Sequence, residues 1–531
     1  MQVQEKGGKI LANSRTANSV RNIIWAVLQK VILMLLPFAV RTAMIYRLGA
    51  EYTGLGSLFN SILNVLSLAE LGFSSAMVYC MYEPIHNGDE ETICALLNFY
   101  KKIYEIIGVV ILLAGLLVIP FLPKLINSRF PAGVNLYLLY AIYLTNTVIS
   151  YFLFAYKSSL LTAYQRNDII SMILLVCNVC LYGVQICALL VTANFYLYAG
   201  LSIVSTIAIN VSYEVASRTL YPSIQCRGEI DPEVKQKIKK RVVGIMLYKL
   251  SSTTRTSFDS IIISSVLGLV TLTQYQNYFM IISSVSGILS MVNTAVTASV
   301  GDSIVARSVD SNYKDFKKIV FMYMWIAGWC TICIACLIQP FMRLWMGVEL
   351  LLPQSMALLF AVYFYTQTMG DTVYLYRTAA GLWWQDRARP VVEAVANILL
   401  NILLVKVLGL FGVILATVIT LIAINFFWGA AILFRHYFHR SAGEYIAIQG
   451  SFAVVVVLAG LVSIAFCQAV SIGGVGQLLF NLGVCVIAPN LVFLVLYRKN
   501  PLYLEAKAFT VNIAGTVCGK LKFRWLRKRD G

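Results

Sequence analysis

Four basic side chains fall inside long apolar runs of this chain: Lys30, Arg41, Lys249 and Arg255. A cation at mid-bilayer costs roughly 2.5–3.5 kcal/mol, so four facing lipid would cost on the order of 10 kcal/mol. They call for water or an anionic partner. Lys30, Pro37 and Arg41 are spaced so that they share one helical stripe. Arg255 and Asp259 stand one turn apart, the spacing at which side chains pair along a helix. Basic groups on two corresponding helices suggest a cationic cavity between the two halves of the molecule. The competing reading is structural: Lys30, Lys249 and Arg41 snorkel to an interface, and Arg255 with Asp259 is a plain ion pair.

Neutral polar groups repeat in the same helical rhythm. Ser57, Asn60, Asn64 and Ser67 form one stripe; Gln276, Ser283, Gly287, Ser290, Thr294 and Thr297 form another. Such stripes either pack helices closely or line a cavity and offer hydrogen bonds to sugar hydroxyls. Glu70, Asp371 and Glu393 are candidates for ion or proton coupling, with structural pairing as the alternative for each. Signals for enzyme chemistry are weak. No Walker lysine motif, HExxH or nucleophile elbow is present; of the three histidines, His86, His436 and His439, the last two lie in a short loop beside Arg435 and Arg440 and read as interfacial residues rather than a metal site. The 12 cysteines are strewn through apolar runs. Cys177 and Cys180, and Cys330, Cys333 and Cys336, have three-residue spacing, which in a helix means only one face; no second cluster completes a zinc site. Neither a metal nor a resident cofactor is expected.

The elements that position these groups follow from composition. The 531 residues are 59% hydrophobic and only 12% charged, with a mean hydropathy of +0.77. Half the charge of a soluble chain cannot clothe a water-facing surface. An all-α polytopic membrane protein is expected, which excludes an assembly of soluble catalytic domains. Fourteen stretches are long enough to span a bilayer as helix: 22–46, 54–80, 103–123, 134–156, 169–191, 195–217, 242–267, 274–300, 319–339, 354–376, 390–408, 411–434, 446–468 and 475–497. Residues 1–21 are polar and the first apolar run is too long for a signal peptide. With the N-terminus inside, 33 of the 42 Lys and Arg residues fall in inner segments and five in outer loops. That asymmetry gives cytoplasmic termini and accounts for the net charge of +18 without nucleic acid.

The halves also correspond. Leu48-Gly49 matches Leu267-Gly268, and Asn178 matches Asn397, each at a shift of 219 residues. The expected organisation is a cytoplasmic arm (1–21), a six-helix lobe (22–217), a basic linker (218–241), a second six-helix lobe (242–434), a helix pair (446–497) and a basic tail (498–531). In the tail, Lys520, Lys522, Arg524, Arg527, Lys528 and Arg529 flank Phe523 and Trp525, as in a segment lying on an anionic leaflet.

Several short motifs resemble the Wzx-like polysaccharide flippases of the multidrug/oligosaccharidyl-lipid/polysaccharide exporter superfamily. They are Arg41-Thr42, Leu48-Gly49, Gly54-Leu55, Leu68-Ala69-Glu70-Leu71-Gly72, Ala163 with Gln165, Tyr221-Pro222, Arg389-Pro390, Glu393 and Asn397. The resemblance implies two lobes around a cavity that opens to alternate sides, in the cell membrane. It also implies a polyprenyl-pyrophosphate-linked oligosaccharide as cargo, with membrane lipids and other polysaccharide-assembly membrane proteins as partners. On that implication Arg41, Arg255, Asp259, Lys30, Lys249, Asn60 and Asn64 bind the cargo. Arg255 exchanges Asp259 for phosphate, and Arg41 reaches the headgroup from the other lobe. Murein-precursor flippases and ion-coupled multidrug exporters of the same superfamily are the alternatives. A membrane glycosyltransferase would need a large loop or acidic cluster that the chain lacks.

Overall fold

The computed structural model describes residues 29–508, apart from 71, 128, 129 and 132. The arm at 1–21 and the tail from 509 lie outside the described residues. What is described is helical, with no strand, the arrangement apolar spans require where only intrahelical bonds can satisfy the backbone.

The helices are α1 (Gln29–Leu48), α2 (Ala50–Leu66), α3 (Phe73–Asn87), α4 (Glu90–Val118), α5 (Leu136–Phe152), α6 (Lys157–Ala163), α7 (Asn167–Thr192) and α8 (Phe195–Leu220). They continue with α9 (Pro232–Leu267), α10 (Leu269–Ala306), α11 (Val309–Met346), α12 (Gln354–Met369), α13 (Asp371–Ala379) and α14 (Ala388–Thr420). After π-helical turns come α15 (Gly429–Leu433), α16 (Gly443–Ala469) and α17 (Gly474–Tyr497). Local chemistry sets several starts: Asp89 caps α4, Asn135 caps α5, Asn194 caps α8 and Ser308 caps α11, each accepting from backbone N–H groups of the first turn. The α1–α2 and α9–α10 junctions turn on Gly49 (φ 109°) and Gly268 (φ 90°), a region most side chains avoid. The Leu-Gly repeat thus marks the same corner twice.

Nine described helices are long and apolar enough to cross a membrane, or ten if the bent pair α5–α6, with its 53° bend, forms one span. One of the nine is a helical stretch from Ala388 to Phe438. At 1.5 Å per residue its 51 residues would measure about 77 Å, more than twice a hydrocarbon core. Gly409 (φ 58°, ψ −136°) breaks it between the expected spans 390–408 and 411–434. Three other expected spans are less regular. The 54–80 span is interrupted by a 3-10 turn at Ser67–Glu70, and 354–376 is divided at Gly370. The 242–267 span lies in α9, which starts at Pro232 and so makes the end of the expected linker helical. Large apolar side chains stand exposed on α4 (Ile106, Val110, Leu113, Leu117) and α17 (Leu479, Val486, Ile487, Leu491), the face a lipid-embedded helix presents.

The chain divides into two compact units. The first runs to Thr273 and adds Ile398–Leu410; the second holds Gln274–Asn397 and everything from Phe411. In the first, α2 packs on α9 and α5, and α8 packs on α5 and α7. In the second, α11 packs against α12, α16 and α17. Helix α9 and its Arg255 therefore belong to the same unit as α1 and Arg41, whereas the duplication suggested opposite lobes.

Candidate functional site

In the first unit, Arg41 is half-buried on α1 and its guanidinium donates to the carbonyl of Thr273 at 3.4 Å. The Thr273 hydroxyl in turn donates to the Ala50 carbonyl at 2.6 Å. Tyr198 of α8 is close enough to Arg41 to interact electrostatically. Lys30 is exposed, and the Lys249 side chain lies outside the described residues. On α9, Arg255 is half-buried and Asp259 is only 2% exposed. The amide of Asn401 donates to Asp259 Oδ1 at 2.6 Å, a partner that sequence spacing did not foresee.

The stripe on α2 divides into two kinds of residue. Ser57 returns its hydroxyl to the Thr53 carbonyl at 2.9 Å. Asn60 and Asn64 are exposed, although Leu55, Leu58, Phe59 and Ile62 on the same helix are buried. A bare carboxamide against lipid loses its hydrogen bonds at a cost of several kcal/mol, so water suits this exposed face better than lipid does. The corresponding stripe on α10, in the second unit, also exposes Ser283, Ser290 and Thr294.

Glu70 ends the 3-10 turn and accepts from the hydroxyls of Tyr104 on α4 and Tyr151 on α5, the latter at 2.5 Å. Asp371, at the start of α13, accepts from Tyr323 of α11, whose oxygen also receives the Asn293 amide at 3.2 Å. Tyr104 and Tyr323 are 219 residues apart, the same interval as the Leu-Gly repeat. Each unit thus fastens an intramembrane carboxylate to the equivalent tyrosine. The sequence contained that correspondence, but tyrosine was not among the candidate residues.

Glu393 is held differently. Arg389, 1% exposed, donates to Glu393 Oε2 at 2.9 Å and grips Asp386 through two bonds of 2.7 and 3.0 Å. Arg377 approaches Asp386 at 3.5 Å, and the Asn425 amide reaches both Glu393 oxygens at 3.2 and 3.4 Å. Two cations balance two anions, which favours the structural alternative for Glu393. Counting Arg377 and Arg389 among loop charges missed their burial; the Asp386–Arg389–Glu393 spacing was the available signal. Lys157, likewise counted as a loop residue, is buried and lies 3.5 Å from Glu214. The cysteines of the second unit are not strewn: Cys336, Cys467 and Cys485 come together from three helices.

The fold built from these helices has known counterparts. A lipid II flippase, MurJ, in an inward closed conformation superposes with a TM-score of 0.59 at 14% identity, covering 90% of this chain and 99% of that one. An inward-facing multidrug resistance MATE family transporter of the MOP superfamily gives 0.57 at 15% identity, covering 77% and 97%. A MOP superfamily transporter from Pyrococcus furiosus gives 0.55 at 15%, covering 80% and 96%. The chain has the fold of these polytopic membrane proteins. No protein-family model and no curated protein matches its sequence.

Proposed function

We propose that this chain is a multi-pass transporter that flips a polyprenyl-pyrophosphate-linked oligosaccharide from the inner to the outer leaflet of the cell membrane by alternating access. In this reading it crosses the membrane fourteen times with both termini cytoplasmic, and the segments 22–217, 242–434 and 446–497 are its lobes and added helix pair. The observation that carries the reading is the exposed Asn60–Asn64 face on a helix whose neighbouring Phe59, Ser61, Ile62 and Leu63 are buried. That face offers hydrogen bonds to hydroxyls, and Arg41 and Arg255 of the same unit offer charge for a pyrophosphate. A guanidinium fork matches phosphate oxygens bidentately. Arg255 exchanges Asp259 for phosphate when cargo enters. Asn401 keeps a donor on the carboxylate, so the buried charge is not orphaned during the exchange.

A murein-precursor flippase is the second reading, favoured by the match over nearly the whole length of MurJ. Both readings share the pyrophosphate chemistry. Basic Lys30, Arg41, Lys249 and Arg255 argue against an exporter of cationic drugs.

The test is complementation of surface-polysaccharide export, with protein level in membranes measured alongside. Arg41→Ala and Arg255→Ala are each expected to lower export at least tenfold at unchanged abundance, with Lys at either position restoring only part. Full export from both alanine variants would remove the cationic site. Rescue of a murein-precursor defect alone would favour the second reading.

A further inference from the structure

We propose that Cys336, Cys467 and Cys485, with Cys333 beside them, bind one thiophilic cation, Zn2+ or Cu+, where α16 and α17 meet α11. The three sulfurs lie within 4.8 Å of one another, and all three residues are buried. Cys333 stands one turn before Cys336 on α11 and is close enough to Cys485 to interact electrostatically. All four are free thiols. Metal–sulfur bonds of about 2.3 Å set sulfur–sulfur separations near 4 Å, so side-chain rotation of roughly 1 Å closes the shell. No carboxylate or imidazole belongs to the cluster, and an all-sulfur set selects soft cations over Mg2+ or Ca2+.

The surrounding hydrogen bonds fix the three helices at these residues. Trp329 Nε1 donates to the Cys485 carbonyl at 2.8 Å, Gln477 to that of Cys467 at 3.1 Å, and Asn481 to that of Cys336 at 3.4 Å. Gln477 and Asn481 are themselves joined at 2.8 Å. Each cysteine carbonyl is therefore held by a side chain from another helix, which sets helix register at the thiols as an outer shell does around metal ligands. A cavity of about 580 Å3 provides access, lined by Cys336 and Cys467 together with Gln339, Arg343, Gln477 and Asn481. Each thiol that coordinates releases one proton. Two thiolates neutralise Zn2+, and a third leaves one negative charge beside a cavity whose lining also includes Arg343. An ion here pins the C-terminal helix pair to α11, a role separate from cargo binding in the first unit.

The experiment uses the full chain purified in detergent under reducing conditions, stripped with chelator and dialysed against Zn2+ or, anaerobically, against Cu+. Bound metal per chain is counted by elemental mass spectrometry, and the melting temperature is followed in parallel. One equivalent of at least one of the two ions is expected, with a rise in melting temperature. Both effects should fall at least tenfold in C336S/C467S/C485S and persist in C177S/C180S. If the triple variant does not fold, Cys467→Ser alone should still lose at least tenfold in affinity. Cobalt in place of zinc should give thiolate-to-metal absorption in the wild type only. Less than a tenth of an equivalent of either ion on the wild type, or equal binding by the serine variants, overturns the proposal.

Discussion

Arg389 answers three carboxylate oxygens while 1% exposed, so truncating it would leave Asp386 and Glu393 without their main counter-charge. Removing one partner of a buried ion pair costs about 3–5 kcal/mol. Arg389→Ala should therefore depress the melting temperature and membrane abundance sharply. Arg389→Lys should rescue only partly, because an ammonium cannot make the two-pronged bond to Asp386. Glu444 shows the opposite regime, at the exposed start of α16. The Tyr313 hydroxyl (2.5 Å) and then the Lys317 ammonium (3.0 Å) hold its carboxyl below the ordinary value. A depressed carboxyl stabilises the fold above its unfolded pKa, and that contribution is lost as pH falls through the folded value. Solvent screening limits it to about 0.5 kcal/mol. Glu444→Gln should lower the melting temperature slightly at pH 7, with the difference closing toward pH 4 and below; a constant difference across that range would contradict the assignment. At this scale the sequence singled out Arg41, Arg255 and Asp259 as costly charges, and the structure places the two arginines half-buried and Asp259 buried. The sequence was illegible where burial depends on the path of the chain, as at Lys157, Arg377 and Arg389.

Helices carry information that single residues do not. A Cβ added at Gly54 would sit 2.2 Å from the Leu269 carbonyl oxygen and 2.9 Å from its carbon, so α2 meets the start of α10 backbone to backbone within the first unit. Nothing flexible can give way there. Gly54→Ala should cost about 1–3 kcal/mol through overpacking, read as a lower melting temperature, whereas Gly183→Ala, with open space around it, should be near neutral. Periodicity and Leu-Gly corners made the all-helical architecture readable over the described residues. The breaks were harder to see: the 3-10 turn at Ser67–Glu70 interrupts a run that hydropathy reads as one continuous span. Hydropathy averages over many residues and is blind to a local change of helix type. Yet that break is what brings Glu70 to Tyr104 and Tyr151, and discontinuous membrane helices are where transporters place their polar chemistry.

At the level of the whole molecule, lipid is the solvent and the sequence encodes it in the apolar runs, with the expected sidedness of Lys and Arg as a second signal. The structure alters that second signal in an instructive way. Lys157, Arg377 and Arg389 were counted as inner charges but are buried and paired, so they do not report on the cytoplasm. Setting these three aside leaves 30 inner cations against five outer ones, and the asymmetry persists. One of the cations expected outside, Arg47, is also accounted for structurally: its guanidinium donates to the carbonyls of Leu189 and Leu190 at the end of α7. The expected orientation therefore rests on the remaining loop cations, chiefly those in 218–241 and 301–318. Three exposed positions test it: Glu229 and Ser308 on the expected inner side, Val348 on the outer. Each is changed singly to cysteine in a cysteine-depleted chain and exposed to a membrane-impermeant maleimide in intact cells. Val348→Cys should react at once, while Glu229→Cys and Ser308→Cys should react only after the membrane is opened. Labelling of Glu229→Cys or Ser308→Cys from outside would invert the topology. Because an odd number of crossings separates Ser308 from Val348, labelling of both from the same side would instead show that α11 does not cross the membrane.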